Sequence, residues 1–409
     1  MKTEDARLSR PPLPPYIRAM HDRHGTWRIP RTSRSWRTLA VASCIAGVAC
    51  IRETEPDLSA PTPWEIQPAA TLDDGSAYWP GAQWRTALPA QVGMDSAAMA
   101  TLSHDVRSGR WPTMRSLLIV RRGYLVFNEY VDSTTPQQIQ PLTTATATVT
   151  GLLVGIAARE GRLRPTDGVA QFFPEYANRL ANTGVIVDAL LDMRSGINFN
   201  EEGPGPPSLE TLLRSDDWLR YIVSTGITGA PGDRWNYSSA DAIYLGGVLH
   251  AVTGEPASAY AKRTLFAPLG IGAYTWVAGR PNELPQMGGG LALTAPDMAR
   301  LGYLMLRKGQ WGASPIVTSA WVTSMGQRRS PSVVEWLGYT LDFGRMLWEL
   351  PIRGSGDPSL VAAAGTGGQW IIVVPSRDIV IVATGNAISV EKHATALQLL
   401  YDVILPAAH

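Results

Sequence analysis

Apolar positions along the 409 residues fall into two kinds of run. "RSLLIVRRGYLVFNEYV", residues 115 to 131, holds two β-rich runs on either side of Arg122 and Gly123, which predicts a hairpin. "QWIIVVP" and "DIVIVATG", flanking Ser376 and Arg377, predict a second hairpin near the other end of the chain. Between the hairpins the longer periodic stretches predict helices over 147–160, 182–193, 208–225, 239–253, 256–266 and 295–308. "EKHATALQLLYDVI", residues 391 to 404, predicts an amphipathic closing helix. No internal repeat interrupts this order.

Strands near both ends with helices between them imply an α+β body: an antiparallel sheet made from both chain ends, carrying an inserted, mainly helical region. The active site is then expected where sheet and helices meet, since concave sites form at such junctions.

Composition narrows the picture. Thirty-six basic residues against 35 acidic ones leave a net charge of +1, so nothing favours nucleic acid as a partner and small neutral ligands fit better. Only Lys2, Lys262, Lys308 and Lys392 are lysines. Both cysteines, Cys44 and Cys50, precede the body, which excludes a disulfide, a thiolate metal site or a cysteine nucleophile within it. His104, His250 and His393 stand alone on helical patterns, so neither metal nor cofactor is expected.

The basic stretch "HDRHGTWRIPRTSRSWRT", residues 21 to 38, precedes the short apolar run "LAVASCIAGVACI". That is the order of an export signal, and the run is too short to span a bilayer. "VASC" and "GVAC" look like the box before a lipidated cysteine in bacterial lipoproteins, with Cys44 or Cys50 as acceptor and a start at Met20 making the more ordinary signal. Residues 1–52 are therefore expected to be a leader of an exported, periplasmic, membrane-anchored or secreted protein. Residues 53–91, rich in Pro, Ala, Asp and Gly, read as a linker, and 92–409 as the body.

From about Val92 to Thr384 the chain resembles the serine β-lactamase and penicillin-recognising hydrolase superfamily, in its class C-like branch with esterases, D-aminopeptidases and 6-aminohexanoate-dimer hydrolases. The resemblance rests on collinear segments: "VGMDSAAMATL", "SLLIVRRGYLVFNEY", "TVTGLLVGIAAREGRL" followed by "FFPEY", "ALLDMRSGINF", "PGDRWNYSSADAIYLGGVL", "LFAPLGI", "GGGLALTAPDMARLG" and "AAGTGGQWIIVVP". It implies a Ser-x-x-Lys pair at the start of the first long helix, on one helical face, with a Tyr from a second motif and an oxyanion-hole N–H from a third. An ungapped register places the first motif on Thr144 to Ala147, so the serine has become Thr144 and the lysine Ala147. Tyr237 stands in "NYSS", with Ser239 where many relatives have Asn. The third motif reads Gly365, Thr366, Gly367, Gly368, Gln369, without the lysine that would anchor a β-lactam carboxylate, so β-lactamase activity is disfavoured.

Thr144, Tyr237 and Thr366 are thus the expected catalytic positions, and Ala147, Ser239, Gly365, Gly367, Gln369 and Trp370 the expected lining. Trp235, Trp276, Trp336 and Trp348 are further candidates for the cleft. Each has a structural alternative: Thr144 as a helix cap, Tyr237 as a hydrogen-bonding core tyrosine, and the glycines as a point of close backbone packing. With no base at 147, the expected function is a β-lactamase-related serine hydrolase-like protein that is catalytically impaired, holding an acyl, amide or peptide-like ligand or a protein partner in its cleft. The alternatives are an esterase, amidase or acyltransferase using Thr144 with Tyr237, and an envelope scaffold with a filled cleft.

Overall fold

Arg122 and Gly123 both take left-handed backbone angles, with φ of 51° and 85°, the signature of a two-residue turn whose twist matches its flanking strands. They join β1 (Met114–Arg121) to β2 (Tyr124–Tyr130). A Cβ on residue 123 would lie 2.8 Å from the Tyr303 hydroxyl, so this corner has room only for glycine. The computed structural model describes residues 78–201, 205–279, 284–336, 339–350, 360–387 and 395–409, leaving aside the side chains of 331–339. All belong to the unit Ile66–His409.

The remaining strands of the main sheet are β3 (Ser330–Trp336), β4 (Tyr339–Phe343), β5 (Trp348–Leu350), β6 (Leu360–Gly365), β7 (Gln369–Val374) and β8 (Ile379–Gly385). They form one eight-stranded sheet in the order β3-β4-β5-β6-β7-β8-β1-β2, every neighbouring pair antiparallel. The two expected hairpins lie side by side in it, with Ile119 opposite Ile381 and Ile381 opposite Ile372. The α+β expectation holds.

Both faces of this sheet are covered, which is why its inner strands read as unbroken apolar runs rather than alternating ones. Leu117, Ile119, Trp370, Ile372 and Ile381 point to the face packed by α1 (Ser96–Arg107) and the closing helical segment Thr395–Ile404. Leu118, Val120, Ile371, Val373 and Val382 point to the helical region. At its centre runs α2 (Thr146–Arg159), buried on every side from Thr146 to Ala157. Beside it lie α3 (Ser239–Thr253) and α5 (Ser319–Met325), while α4 (Ala295–Leu306) packs on β7 and β8.

Three expected helices are shorter or broken. Over 182–193 only Val187–Leu191 is helical, after a turn at Gly184 with φ 68°. Over 208–225 the chain stops at Arg214 and restarts at Trp218, because the Asp217 carboxylate caps the Arg220 N–H. Over 256–266 one α-turn, Ala257–Ala261, passes into a π-turn, Lys262–Phe266.

Packed structure also begins earlier than residue 92. The Tyr303 hydroxyl donates to the Tyr78 carbonyl at 2.6 Å, Arg300 donates to the carbonyls of Gly81 and Ala82, and the Trp84 indole donates to Pro296 O. The leader, both cysteines and the linker as far as residue 77 lie outside the described residues. Among the described residues no helix is long and apolar enough to cross a membrane.

Candidate active site

Thr143 precedes α2 in a left-handed conformation, φ 49°, which a β-branched residue adopts only under constraint. Its hydroxyl donates to Leu142 O at 2.7 Å and to Thr366 O at 2.9 Å, fastening the turn to the end of β6. Gly365 makes that approach possible: a Cβ there would overlap the Leu142 carbonyl oxygen and Thr143 Oγ1 and sit 3.1 Å from the Ala145 N. The glycine at 365 therefore acts by close backbone packing.

The result is that Thr144 meets the strand end. Its hydroxyl donates to Ala364 O at 3.2 Å and accepts from the Thr366 N–H at 3.3 Å. It caps nothing, since the N-cap of α2 is Ala145 and no side chain bonds there, so the capping alternative is replaced by a helix-to-strand bridge. Tyr237 arrives from the loop before α3 and donates its hydroxyl to the Thr144 carbonyl oxygen at 3.3 Å. The three expected catalytic positions are thus brought together, Thr366 through its backbone.

Tyr237 lies in an aromatic wall. Its ring stacks with Trp348 at 6.4 Å and 6°, and Trp235 packs against both and edge-on to Phe343. Burial pushes the phenol pKa well above its ordinary value, and the negative charge of Glu201 pushes it further. Tyr237 is therefore held as a neutral hydrogen-bond donor.

Glu201 escaped the sequence reading. Its carboxylate accepts from the Ser239 N–H at 2.8 Å and from Ser239 Oγ at 2.5 Å, sitting at the N-terminus of α3 where the helix dipole favours an anion. Ser239 is consequently a buried partner of Glu201, which corrects its assignment to ligand lining. Behind it the buried Asp241 accepts from Ser195 Oγ at 2.6 Å, and burial holds its carboxyl well above the usual range. The only signal for Glu201 was an acidic pair shortly after "SGINF", which by spacing alone points nowhere.

Other lining assignments change as well. Ala147 is 3% exposed within the apolar core and presents no polar group. Trp370 is fully buried on the opposite face of the sheet, because strand alternation sends residue 369 towards the helices and residue 370 away from them. Gln369 is 2% exposed and its amide donates to Gly385 O at 2.6 Å, tying β7 to β8. Gly367 and Gly368, with φ of 98° and 90°, form the turn between β6 and β7. Trp276 is engaged elsewhere, its indole donating to Gln286 O, while the side chain of Trp336 and residues Lys392 and His393 lie outside the described residues.

A helix start thus faces a strand end, with a hydroxyl, a strand N–H and a tyrosine converging on it and an alanine at position 147. Comparison with known proteins agrees on its ancestry. The chain is 28% identical over 313 residues to the 6-aminohexanoate-dimer hydrolase of Paenarthrobacter ureafaciens, covering 72% of this chain and 79% of that one. Among solved structures it superposes on EstCE1, a hydrolase with promiscuous acyltransferase activity, at a TM-score of 0.60 with 19% identity, over 75% of this chain and 97% of that one. It also superposes on the octameric penicillin-binding protein homologue from Pyrococcus abyssi at 0.57 with 20% identity, over 76% and 78%. The model of the family described as Beta-lactamase matches residues 100–400, and with that span and this fold the chain belongs to the beta-lactamase family of serine hydrolases.

Proposed function

We propose that this protein is a catalytically impaired member of its family that holds an acyl, amide or peptide-like ligand in the cleft around Thr144. The observation that carries the reading is that Ala147, which the family register puts at the general-base position, is buried and apolar, while the Thr144 hydroxyl is engaged between Ala364 O and the Thr366 N–H. Losing a general base costs about 10²- to 10⁴-fold in rate. The extra methyl of threonine further stiffens and crowds the nucleophile. Tyr237 cannot stand in readily, since burial and Glu201 favour its protonated form. What supports ligand binding is that the strand end and the aromatic wall of Tyr237 and Trp348 converge on the helix start. The 6-aminohexanoate dimer, named for the relative in P. ureafaciens, is the first ligand to try.

The test combines labelling with repair. A fluorophosphonate probe is expected to leave Thr144 unmodified, and the wild type to hydrolyse small activated esters no faster than buffer. Thr144→Ser with Ala147→Lys is expected to restore measurable hydrolysis and either change alone to do much less, because nucleophile and base act as a unit. Stoichiometric labelling of Thr144 in the wild type would establish instead the alternative, an active hydrolase or acyltransferase using Thr144 with Tyr237.

A further inference from the structure

A concavity of about 330 Å³ lies roughly 15 Å along α2 from Thr144. Gly155, Ala158 and Trp321 line its apolar part, and Arg159, Arg164 and Arg345 are the charged residues that line it. None of the expected catalytic residues borders it. Its size and its mix of apolar floor and few charged groups match a small-molecule site.

The three arginines differ in what they already hold. Arg345 lies over the Trp321 ring at 4.9 Å and is fixed by Asp188 at 2.6 Å and by Ser324 Oγ at 2.7 Å. Arg159 donates one N–H to the Pro315 carbonyl, which leaves its charge uncompensated. The Arg164 guanidinium has no acceptor among the described residues; the neighbouring Asp167 carboxylate is turned to the Arg164 backbone N–H at 2.7 Å. Asp188 is shared between Arg345 and Arg329, so the acid nearest Arg345 is already committed. Positive charge therefore exceeds negative at the mouth, over a floor that offers a short hydrocarbon a place out of water.

We propose that this cavity is a separate binding site for a small carboxylate with an aliphatic body. Guanidinium groups grip a carboxylate through paired N–H donors, and Arg164 and Arg159 are the two with donors to give. The aliphatic part lies on Ala158 and Trp321. The indole N–H of Trp321 donates to Gly151 O at 3.0 Å within α2, so an occupant touches the helix that Thr144 precedes.

Titration calorimetry of the full chain with sodium octanoate, beside octanol and octylamine, tests this. One octanoate per chain is expected to bind saturably, with octanol and octylamine far weaker. Arg164→Ala, at an exposed position, is expected to weaken octanoate about tenfold or more, with partial recovery in Arg164→Lys. Ala320→Trp is expected to fill the cavity and abolish binding, and Thr144→Val to leave it unchanged. Equal binding of octanol, undiminished affinity in Arg164→Ala, or loss of binding in Thr144→Val would each overturn the proposal, the last by placing octanoate in the catalytic cleft.

Discussion

Threonines 143, 144, 146, 148 and 150 give the start of α2 its β-branched composition, and each hydroxyl has a backbone partner. Thr143 reaches Thr366 O, Thr144 reaches Ala364 O, Thr146 accepts from the Leu291 N–H, and Thr148 and Thr150 donate to the carbonyls of Met346 and Met287. A helix buried on all sides cannot leave hydroxyls unpaired, so the run works as a set of ties from α2 to its surroundings. Gly365 is the complementary residue on the strand side. Gly365→Ala is expected to lower stability by about 1–3 kcal/mol, the usual cost of forcing an extra carbon into a packed contact. Thermal unfolding measures it; a melting temperature equal to the wild type would mean that the β6–α2 approach is looser than described.

At the scale of elements, the helix Val187–Leu191 and its C-terminal Asp192 are held by charge. Arg329 donates to Asp192 at 2.7 Å and to Asp188 at 2.5 Å, and Arg345 donates to Asp188 at 2.6 Å, joining that helix to the segment entering β3 and the turn after β4. Burial pushes the Asp192 carboxyl up to about 6, the pull of Arg329 notwithstanding. Folding thus raises this pKa, so the group favours the folded state below the ordinary unfolded value of about 3.9 and loses that contribution as pH rises through about 6. Asp192→Asn keeps an acceptor for Arg329 and removes the titration. Urea midpoints of the variant are expected to gain on the wild type between pH 4 and pH 7; a difference that stays flat or runs the other way rejects the assignment.

For the whole molecule, the eight-stranded sheet is stable only with both faces covered, and residues 78–91 help close one end of the helical side. Arg300, buried with an ion pair to Asp297 at 3.4 Å, spends two further bonds on Gly81 and Ala82, and Tyr303 caps Tyr78. A chain starting at residue 92 leaves these buried donors unpaired, at about 1–3 kcal/mol each. It is expected to melt measurably lower than one starting at residue 78, by circular dichroism. Equal melting would show that water satisfies Arg300 and Tyr303 as well as the strap does.

The strands, the terminal pairing of hairpins and the buried helix were legible in the chain, because each is written in local periodicity and turn chemistry: Arg122 and Gly123 make their turn, and an apolar run makes a covered strand. That Thr144, Tyr237 and Thr366 come together was an expectation of the family register alone. Only the tertiary structure decided what those positions do. It turned Trp370 away by strand alternation, closed Ser239 onto Glu201, bound the Thr144 hydroxyl to β6, and brought Arg345 to one cavity with Arg159 and Arg164. Those outcomes depend on contacts between residues far apart in the chain, 220 positions in the case of Thr144 and Ala364, and no local pattern encodes such a distance.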